Sequence, residues 1–520
     1  MVKWYHKGLW SLYSRFESWS ASQTHCVHAP LETPPIVTTN GTPQTADAAA
    51  SGKAAAAGRK TAVLVLAAGH GTRLKSSHPK HLHKVAGIPI VQRVIRAGLG
   101  AAPERTVVLV SPGMVDLDQR LGMVGEFETL VQEPARGTGD AVRRGLEAVD
   151  DDTDWVISLL GDSCLLTAET VKTLLDRAIS EGNLITVLTA VLPDAQAYGR
   201  IDRDEYGRVL RIIEKKSDDP AKRVGETEIN SGIMVLNARW AREALPRVEL
   251  NPNSNEYQLT DLIGIAVAGH RTGQPWPVQT FVGDEFVGVG VNDRQQLKEA
   301  DDIVRRKVRE RLMAEGVTII GAETVFIDED VEIGRDTVIH PFTTITGSCR
   351  IGEQCTIGPA AHLRNVTIGN GVEVFSSTVR ESTIGDDADV GPYAHLRGGT
   401  VIRSGVHIGS NTEIKGSDIG AGSRVGHFGY LGDATIGEDV NIGAGTVTAN
   451  FNGKDKNPTT IGDGAFVGSD SVLVAPVALG DGARTGAGSV VTHDVPAGAL
   501  VVGVPARLRE PKQPEREDES

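Results

Sequence analysis

TAVLVLAAGHGTRLKSSHPKHLH, residues 61–83, is the stretch whose reading decides the fold. Residues 61–66 form a short, apolar, β-rich run that stops at small side chains, which predicts a buried parallel strand. Ala67-Ala68-Gly69-His70-Gly71-Thr72 then lets the backbone turn tightly, so that its N–H groups can face a phosphate. Arg73 and Lys80 follow and supply the positive charge a polyphosphate needs. Leu74 stands where a dinucleotide fingerprint requires its third glycine, and no Gly-Lys-Ser/Thr ends the loop as in a Walker motif.

The surroundings narrow the possibilities. At 520 residues the chain is too long for one ordinary core. A net charge of −14 argues against a nucleic-acid binder while leaving room for local basic pockets. Cys26, Cys164, Cys349 and Cys355 have neither disulfide-rich density nor a CxxC spacing, which suits a reducing cytoplasm. No apolar run reaches bilayer length, so no stable membrane insertion is expected. Sixty glycines beside few aromatics anticipate a repetitive β architecture. Residues 1–59 hold half of the tryptophans (Trp4, Trp10, Trp19) and then turn Ala/Thr/Pro-rich; they read as a disordered extension.

From residue 60 to 292, short apolar strands (106–110, 155–160) alternate with helical patterns (137–148, 168–179), which implies βαβ units and a mostly parallel sheet. Ligands then belong at the strand C-termini. Asp162 follows one such strand, where a carboxylate can hold Mg²⁺ beside phosphate oxygens. The loop, Arg73 and Pro79-Lys80 resemble the sugar-1-phosphate nucleotidyltransferases. Through Gln132, Gly137-Thr138-Gly139, Gly161-Asp162, Tyr198-Gly199-Arg200-Ile201, Glu214, residues 228–233 and Gly290-Val291-Asn292, the segment resembles the uridylyltransferase domain of the bacterial bifunctional enzymes that make UDP-N-acetylglucosamine. The resemblance implies a catalytic role for Arg73 and Lys80. It implies a nucleotide site of Leu66, Ala67, Ala68, Gly69, Lys80, Gln132, Gly137, Thr138, Leu160, Gly161 and Asp162. It gives N-acetylglucosamine-1-phosphate to Gly199, Glu214, Asn230 and Asn292, and Mg²⁺ to Asp162 and Asn292. Leu160 departs from the tyrosine frequent in that family.

Between 292 and 314, Leu297, Ala300, Val304, Val308 and Leu312 recur at helical spacing among many charges, and Gly316 supplies a stop; this is a linker helix over 293–316. A six-residue beat follows: Ile327, Ile333, Ile339, Ile345, Ile351, Ile357 and Leu363, then 384 to 414, then 461 to 479. Helical spacings are absent, and a triangular coil explains both the period and the glycines. The pattern resembles the left-handed β-helix of hexapeptide-repeat acyltransferases, which implies a homotrimer. Interruptions at 364–380 and 448–460 are expected to be corner loops.

His427, in Gly426-His427-Phe428-Gly429-Tyr430, is the candidate base, since a neutral imidazole can take a proton from an attacking amine. Residues 396–397, 413–415, 441–445, Asn450 and 466–470 resemble the acetyltransferase half of the same bifunctional enzymes. That likeness makes His427 the base and Glu413 the residue that orients it. It gives glucosamine-1-phosphate to Arg397, Lys415, Tyr430 and Asn441, and acetyl-CoA to Asn450, Phe451, Ser469 and Ala487. Phe451 replaces the family's tyrosine. The arginine expected near Gly503-Val504-Pro505 for the CoA phosphates is missing, leaving Arg507 and Arg509 as substitutes.

The expected fold is therefore α/β plus β: a Rossmann-like nucleotidyltransferase domain (60–292), a linker helix, a left-handed parallel β-helix (317–510) and a polar tail (511–520). The expected activity is acetylation of glucosamine-1-phosphate by acetyl-CoA, then Mg²⁺-dependent uridylyl transfer from UTP, in the cytoplasm. Three other readings stand beside it, one of them a chain with a single live half, its acetyltransferase weakened by the altered CoA end. A nucleotidyltransferase for a different sugar phosphate would not need His427, Arg397 and Lys415 together. A regulatory scaffold, like the exchange-factor subunits of translation initiation, should lack the reactive set that is present here.

Overall fold

The computed structural model describes residues 58–509 apart from His70, Met123, 196–197, 216–217, Asn253 and 288–289. The N-terminal extension, but for its last two residues, and the polar tail lie outside the described residues.

Thr61–Ala67 is a strand at the centre of a mixed sheet. It pairs in parallel with Arg105–Val110 on one side and Trp155–Leu160 on the other. Because its two neighbours are reached by crossovers in opposite directions, a crevice opens beyond its C-terminal end. Glu128–Val131 closes one edge; Val224–Asn237 enters antiparallel beyond Trp155–Leu160, followed by Ile185–Asp194 and Val278–Val282. Both faces of the central strand are buried: Val63 and Val65 pack into one apolar layer, Ala62 and Leu64 into the other. That two-sided burial is why the run reads as continuously apolar rather than alternating. The helices predicted at 137–148 and 168–179 form as Thr138–Glu147 and Ala168–Glu181, the latter capped by the Thr167 hydroxyl accepting from the Thr170 N–H.

Arg294–Ala314 is the connecting helix, started by the Asp293 carboxylate, which accepts from the Gln296 N–H. Ala300, Val304, Val308 and Leu312 are buried, as their spacing predicts, and join one apolar core with the first coils of the second region.

From Thr318 the described residues wind through three sheets of twelve, ten and nine short strands, parallel except for the last strand, Arg507–Leu508, which pairs antiparallel. Each strand pairs with the one a full coil later, for example Phe326–Ile327 with Thr344–Thr346. The aliphatic residues of the six-residue beat all point inward and are buried. Each such burial stabilises by roughly 1.5–3 kcal/mol before chain entropy is counted, and stacked Ile, Val and Leu, with smaller Ala, Cys, Ser and Thr between them, fill the interior of this left-handed β-helix.

One expectation fails. Residues 364–380 are not a corner loop: strands at Thr367–Ile368, Glu373–Val374 and Thr378–Arg380 continue the coil. Ile368, Val374 and Val379 are buried at spacings of five and six. A corner shortened by one residue hides the beat from a strict period of six without turning the inward face outward. The interruption at 448–460 is real: after Val447–Ala449 the chain leaves the coil and returns at Thr459–Ile461.

Candidate active sites

The first site forms at the C-terminal ends of the two central strands. The Gly161 N–H donates to the Leu66 carbonyl at 2.9 Å, which holds Asp162 beside the small-residue loop. A Cβ on Gly161 would come within 2.8 Å of the Ala67 Cβ and 2.9 Å of the Leu66 oxygen, so glycine is required by contact. The adjoining cavity, about 270 Å³, is lined by Leu66, Ala68, Gly69, Lys80, Gln132, Gly137, Thr138, Leu160 and Asp162. Ala67 and Gly161 lie behind this wall rather than in it. Gln132 donates to the Gly137 carbonyl and to Asp140. Gly137 has φ +93°, and a Cβ there would sit 2.7 Å from the Tyr257 carbonyl. The segment Glu256–Tyr257 and Gln258 thus closes one side of the cavity, and nothing in its sequence marked it. Leu160 lines the cavity and offers only an apolar surface.

Lys80, Arg73, Asp162 and Asn292 converge from three separate stretches of chain. The Lys80 ammonium donates to Asp162 Oδ2 at 2.5 Å and to Asn292 Oδ1 at 2.9 Å, and Arg73 donates to the same Asn292 oxygen at 2.9 Å. Asn292 is placed by its backbone N–H, which donates to Gln296 in the connecting helix. The Val291 N–H donates to the Asp162 carbonyl. A carboxylate and an amide oxygen bridged by an ammonium are two hard donors that already hold a cation. They suit a divalent ion that takes few protein oxygens and completes its shell with water and phosphate. His81 also lines the cavity; burial lowers its pKa to about 4, so the imidazole is neutral at pH 7. It too escaped sequence reasoning, since a histidine beside Lys80 has no distinguishing pattern.

Gly199, Glu214 and Asn230 adjoin this centre. The Asn230 N–H donates to the Gly199 carbonyl at 2.9 Å, and Glu214 Oε1 lies 3.4 Å from where a Gly199 Cβ would stand. Burial, with Asp261 adding repulsion, raises the Glu214 pKa. The Tyr198 side chain bonds to the Gly290 backbone and so ties this trio to Asn292.

The second constellation lies on the outside of the coils. Sheet register stacks Lys415 on Arg397 and Tyr430 on Glu413. Arg397 donates to Glu413 Oε1 at 2.7 Å, and Glu413 makes no hydrogen bond to His427. The expected orienting contact is therefore absent in the single chain, because the guanidinium one coil away claims the carboxylate. His427 is exposed at a corner; its carbonyl accepts from the Thr412 hydroxyl at 2.9 Å. Backbone bonds from Gly445 to Phe428, Asp470 to Ala444 and Gly488 to Ser469 stack the corners that carry His427, Ala444, Ser469 and Ala487 in one file. Ala444 belongs to that file as well; its stretch, 441–445, carries part of the resemblance, but no role was expected of Ala444 itself.

Asn450 is buried and donates to Asp433 at 2.6 Å, while Phe451 is exposed on the excursion that follows. The same excursion brings Lys456 to Lys415, whose pKa it lowers by hydrogen bonding and by repulsion, Arg397 adding to the effect. Lys456 was not anticipated, because forty residues of chain separate it from Lys415. Asn441 belongs to a different sheet from Tyr430, between Arg424 and Phe466, and does not join Arg397 and Lys415 on their face. Arg507 and the backbone of Arg509 pack on the last coil strand.

Three family models match along the chain: a MobA-like NTP transferase domain over 63–199, a GMPPB C-terminal domain over 321–417, and a hexapeptide repeat of succinyl-transferase over 458–493. The chain is 42% identical over 442 residues to the bifunctional protein GlmU of Fervidobacterium nodosum, covering 85% of this chain and 94% of that one. It is 43% identical to that of Carboxydothermus hydrogenoformans (84% and 96% covered) and 41% identical to that of Streptomyces avermitilis (85% and 92% covered). With near-complete coverage of both halves, the chain belongs to the family of the bifunctional protein GlmU.

Proposed function

We propose that the two constellations are the reaction centres of one bifunctional transferase working in series. The enzyme acetylates glucosamine-1-phosphate with acetyl-CoA and then joins the product to UTP, forming UDP-N-acetylglucosamine and pyrophosphate. The observation that carries this reading is the convergence of Arg73, Lys80, Asp162 and Asn292 on one cavity, on a chain whose outer coils also group Arg397, Lys415 and Lys456.

In the coil centre, Arg397, Lys415 and Lys456 bind the sugar phosphate, and Tyr430 with Asn441 the sugar. His427 accepts a proton from the amine as nitrogen attacks the thioester carbonyl. The C–S bond then breaks, and the imidazolium returns that proton to the leaving CoA thiolate. Asn450, Phe451, Ser469 and Ala487 line the acetyl-CoA groove. Because Asn441 lies on another face and Phe428 and Phe466 stay 57% and 42% exposed, the centre is completed by a neighbouring copy, as in a homotrimer. In that assembly Glu413 exchanges its Arg397 partner, once phosphate arrives, for a role at His427.

In the sheet centre, Leu66 to Gly69, Gln132, Gly137 and Thr138 hold the nucleotide, and Gly199, Glu214 and Asn230 the N-acetyl sugar. An oxygen of the sugar phosphate attacks the α-phosphorus of UTP in line, and the bond to pyrophosphate breaks. Arg73 and Lys80 spread the negative charge that accumulates, so catalysis is positioning and electrostatics. The family's divalent metal is assigned as Mg²⁺, held by Asp162 and Asn292; when bound it neutralises phosphate charge. The compartment is the cytoplasm, where these substrates meet.

Purified protein given UTP, Mg²⁺ and N-acetylglucosamine-1-phosphate should release pyrophosphate, and given acetyl-CoA and glucosamine-1-phosphate should release CoA. Turnover only with another sugar phosphate, or in neither assay, would refute this function.

A further inference from the structure

The connecting helix carries the run Arg305-Arg306-Lys307-Val308-Arg309-Glu310-Arg311, more basic charge than bridging two domains requires. Some of it is structural: Arg305 pairs with Asp301 and Asp328, and Arg309 donates to the Val325 carbonyl. Lys307 and Arg311 instead line a cavity of about 350 Å³ at the junction of the sheet domain, the helix and the first coil. Arg93 and Arg96 approach from the sheet domain, Glu329 from the coil, and Ile88, Leu165 and Val308 supply an apolar floor.

The charges there are only partly answered. Glu329 takes Arg93, Asp330 takes two N–H groups of Arg96, and Glu315 takes one of Arg311. Lys307 has no carboxylate partner among the described residues; its ammonium rests 5.1 Å from the Phe286 ring centroid. The second terminal nitrogen of Arg311 donates to the Glu329 and Val331 carbonyls at 3.3 Å, which leaves its Nε–H and the remaining guanidinium N–H groups of Arg96 as donors still to be used. Thr167 and Ala168, the start of a fourteen-residue helix, also line the cavity and add its positive end. Four cationic side chains against the single carboxylate of Glu329, around an apolar floor and in a volume suited to a small molecule, call for a compact anion with a C–H-rich body.

We propose that this junction cavity is a third ligand site, which takes an organic phosphate of hexose size, held by Lys307, Arg96 and Arg311. The site touches the segment that carries Asp162: Arg93 Nε donates to the Cys164 carbonyl at 2.7 Å, and Leu165 to Ala168 form the wall. Occupancy therefore braces the helix, the coil and the metal-binding loop together. The inference rests on the cavity alone and stands whether or not the two reactions are assigned correctly.

The test uses the full chain carrying Lys80→Gln and Lys415→Gln, which removes phosphate-binding cations from both reaction centres. Titration calorimetry with glucose 6-phosphate at low salt should show one remaining site per chain, absent with glucose. Lys307→Glu should weaken it at least tenfold, while Lys307→Arg retains it. Lys307 is exposed, so an unchanged melting temperature will confirm that the variants fold. No remaining site, or one indifferent to Lys307→Glu, would overturn the proposal.

Discussion

The two regions build their chemistry in opposite ways. In the sheet domain the reactive groups are drawn inward: the Lys80 side chain is 8% exposed and Asp162 19%, and both face a cavity walled by one chain. On the coils, Arg397 and Glu413 remain 44% and 41% exposed, and His427 stands on an open corner. A doubly wound sheet creates a crevice by topology alone. A triangular coil fills its interior with its own side chains and presents flat faces, so a pocket on it needs a second surface. The difference teaches that the sheet domain walls its cavity with one chain, whereas the coil leaves its charged face open on the single chain.

The sharpest way to break this contrast is to disable each centre separately. Asp162→Ala should lower uridylyl transfer by about 10³-fold or more and spare acetyl transfer, because the lost charge acts only in the cavity. His427→Ala should do the reverse, by roughly 10²–10⁴-fold, the usual worth of a general base. Coupled pyrophosphate and thiol assays on the same preparations read both, and normal acetylation by His427→Ala would remove the base assignment.

Burial supplies the next test. The His81 pKa is lowered to about 4 from an ordinary 6.5, so the unfolded chain binds the extra proton more readily between those values. Stability is complete above pH 6.5 and falls as pH drops towards 4, by up to about 3 kcal/mol. Urea midpoints at pH 7 and pH 4.5 should differ accordingly, and His81→Leu should reduce the difference. An unchanged acid limb in that variant would show that the imidazole is not the group responsible.

Dilution or interface substitution should separate the halves again. Monomers made by Phe466→Glu are expected to lose acetyl transfer at least tenfold while uridylyl transfer per chain stays constant, with mass by light scattering as the check. Full acetylation by a monomer would mean that the coil face is complete alone. The smallest effect concerns Lys456. Hydrogen bonding to it, together with its repulsion, lets Lys415 shed its proton at lower pH than an ordinary lysine, so phosphate affinity should decline early on the alkaline side. Lys456→Met should move that decline to higher pH and raise the KM for glucosamine-1-phosphate several-fold near pH 7. A profile that stays in place would exclude the coupling.

Much of this molecule was legible as pattern. Residues 61–66 announce a strand buried on both faces because no polar residue interrupts them, and the beat from Ile327 to Leu363 announces a coil because inward positions recur at a constant chain interval. Asp162 and His427 could be picked out because their neighbours within a few residues are diagnostic. What depends on local spacing, namely strands, helix stripe and coil period, was settled by sequence. Only the tertiary structure decided that residues 364–380 stay in the coil, that Glu413 pairs with Arg397, that Lys456 reaches Lys415, and that Tyr257 and His81 wall the cavity beside Asp162. Those facts depend on distances between segments far apart in the chain, and on competition among partners for one carboxylate. No periodicity records either.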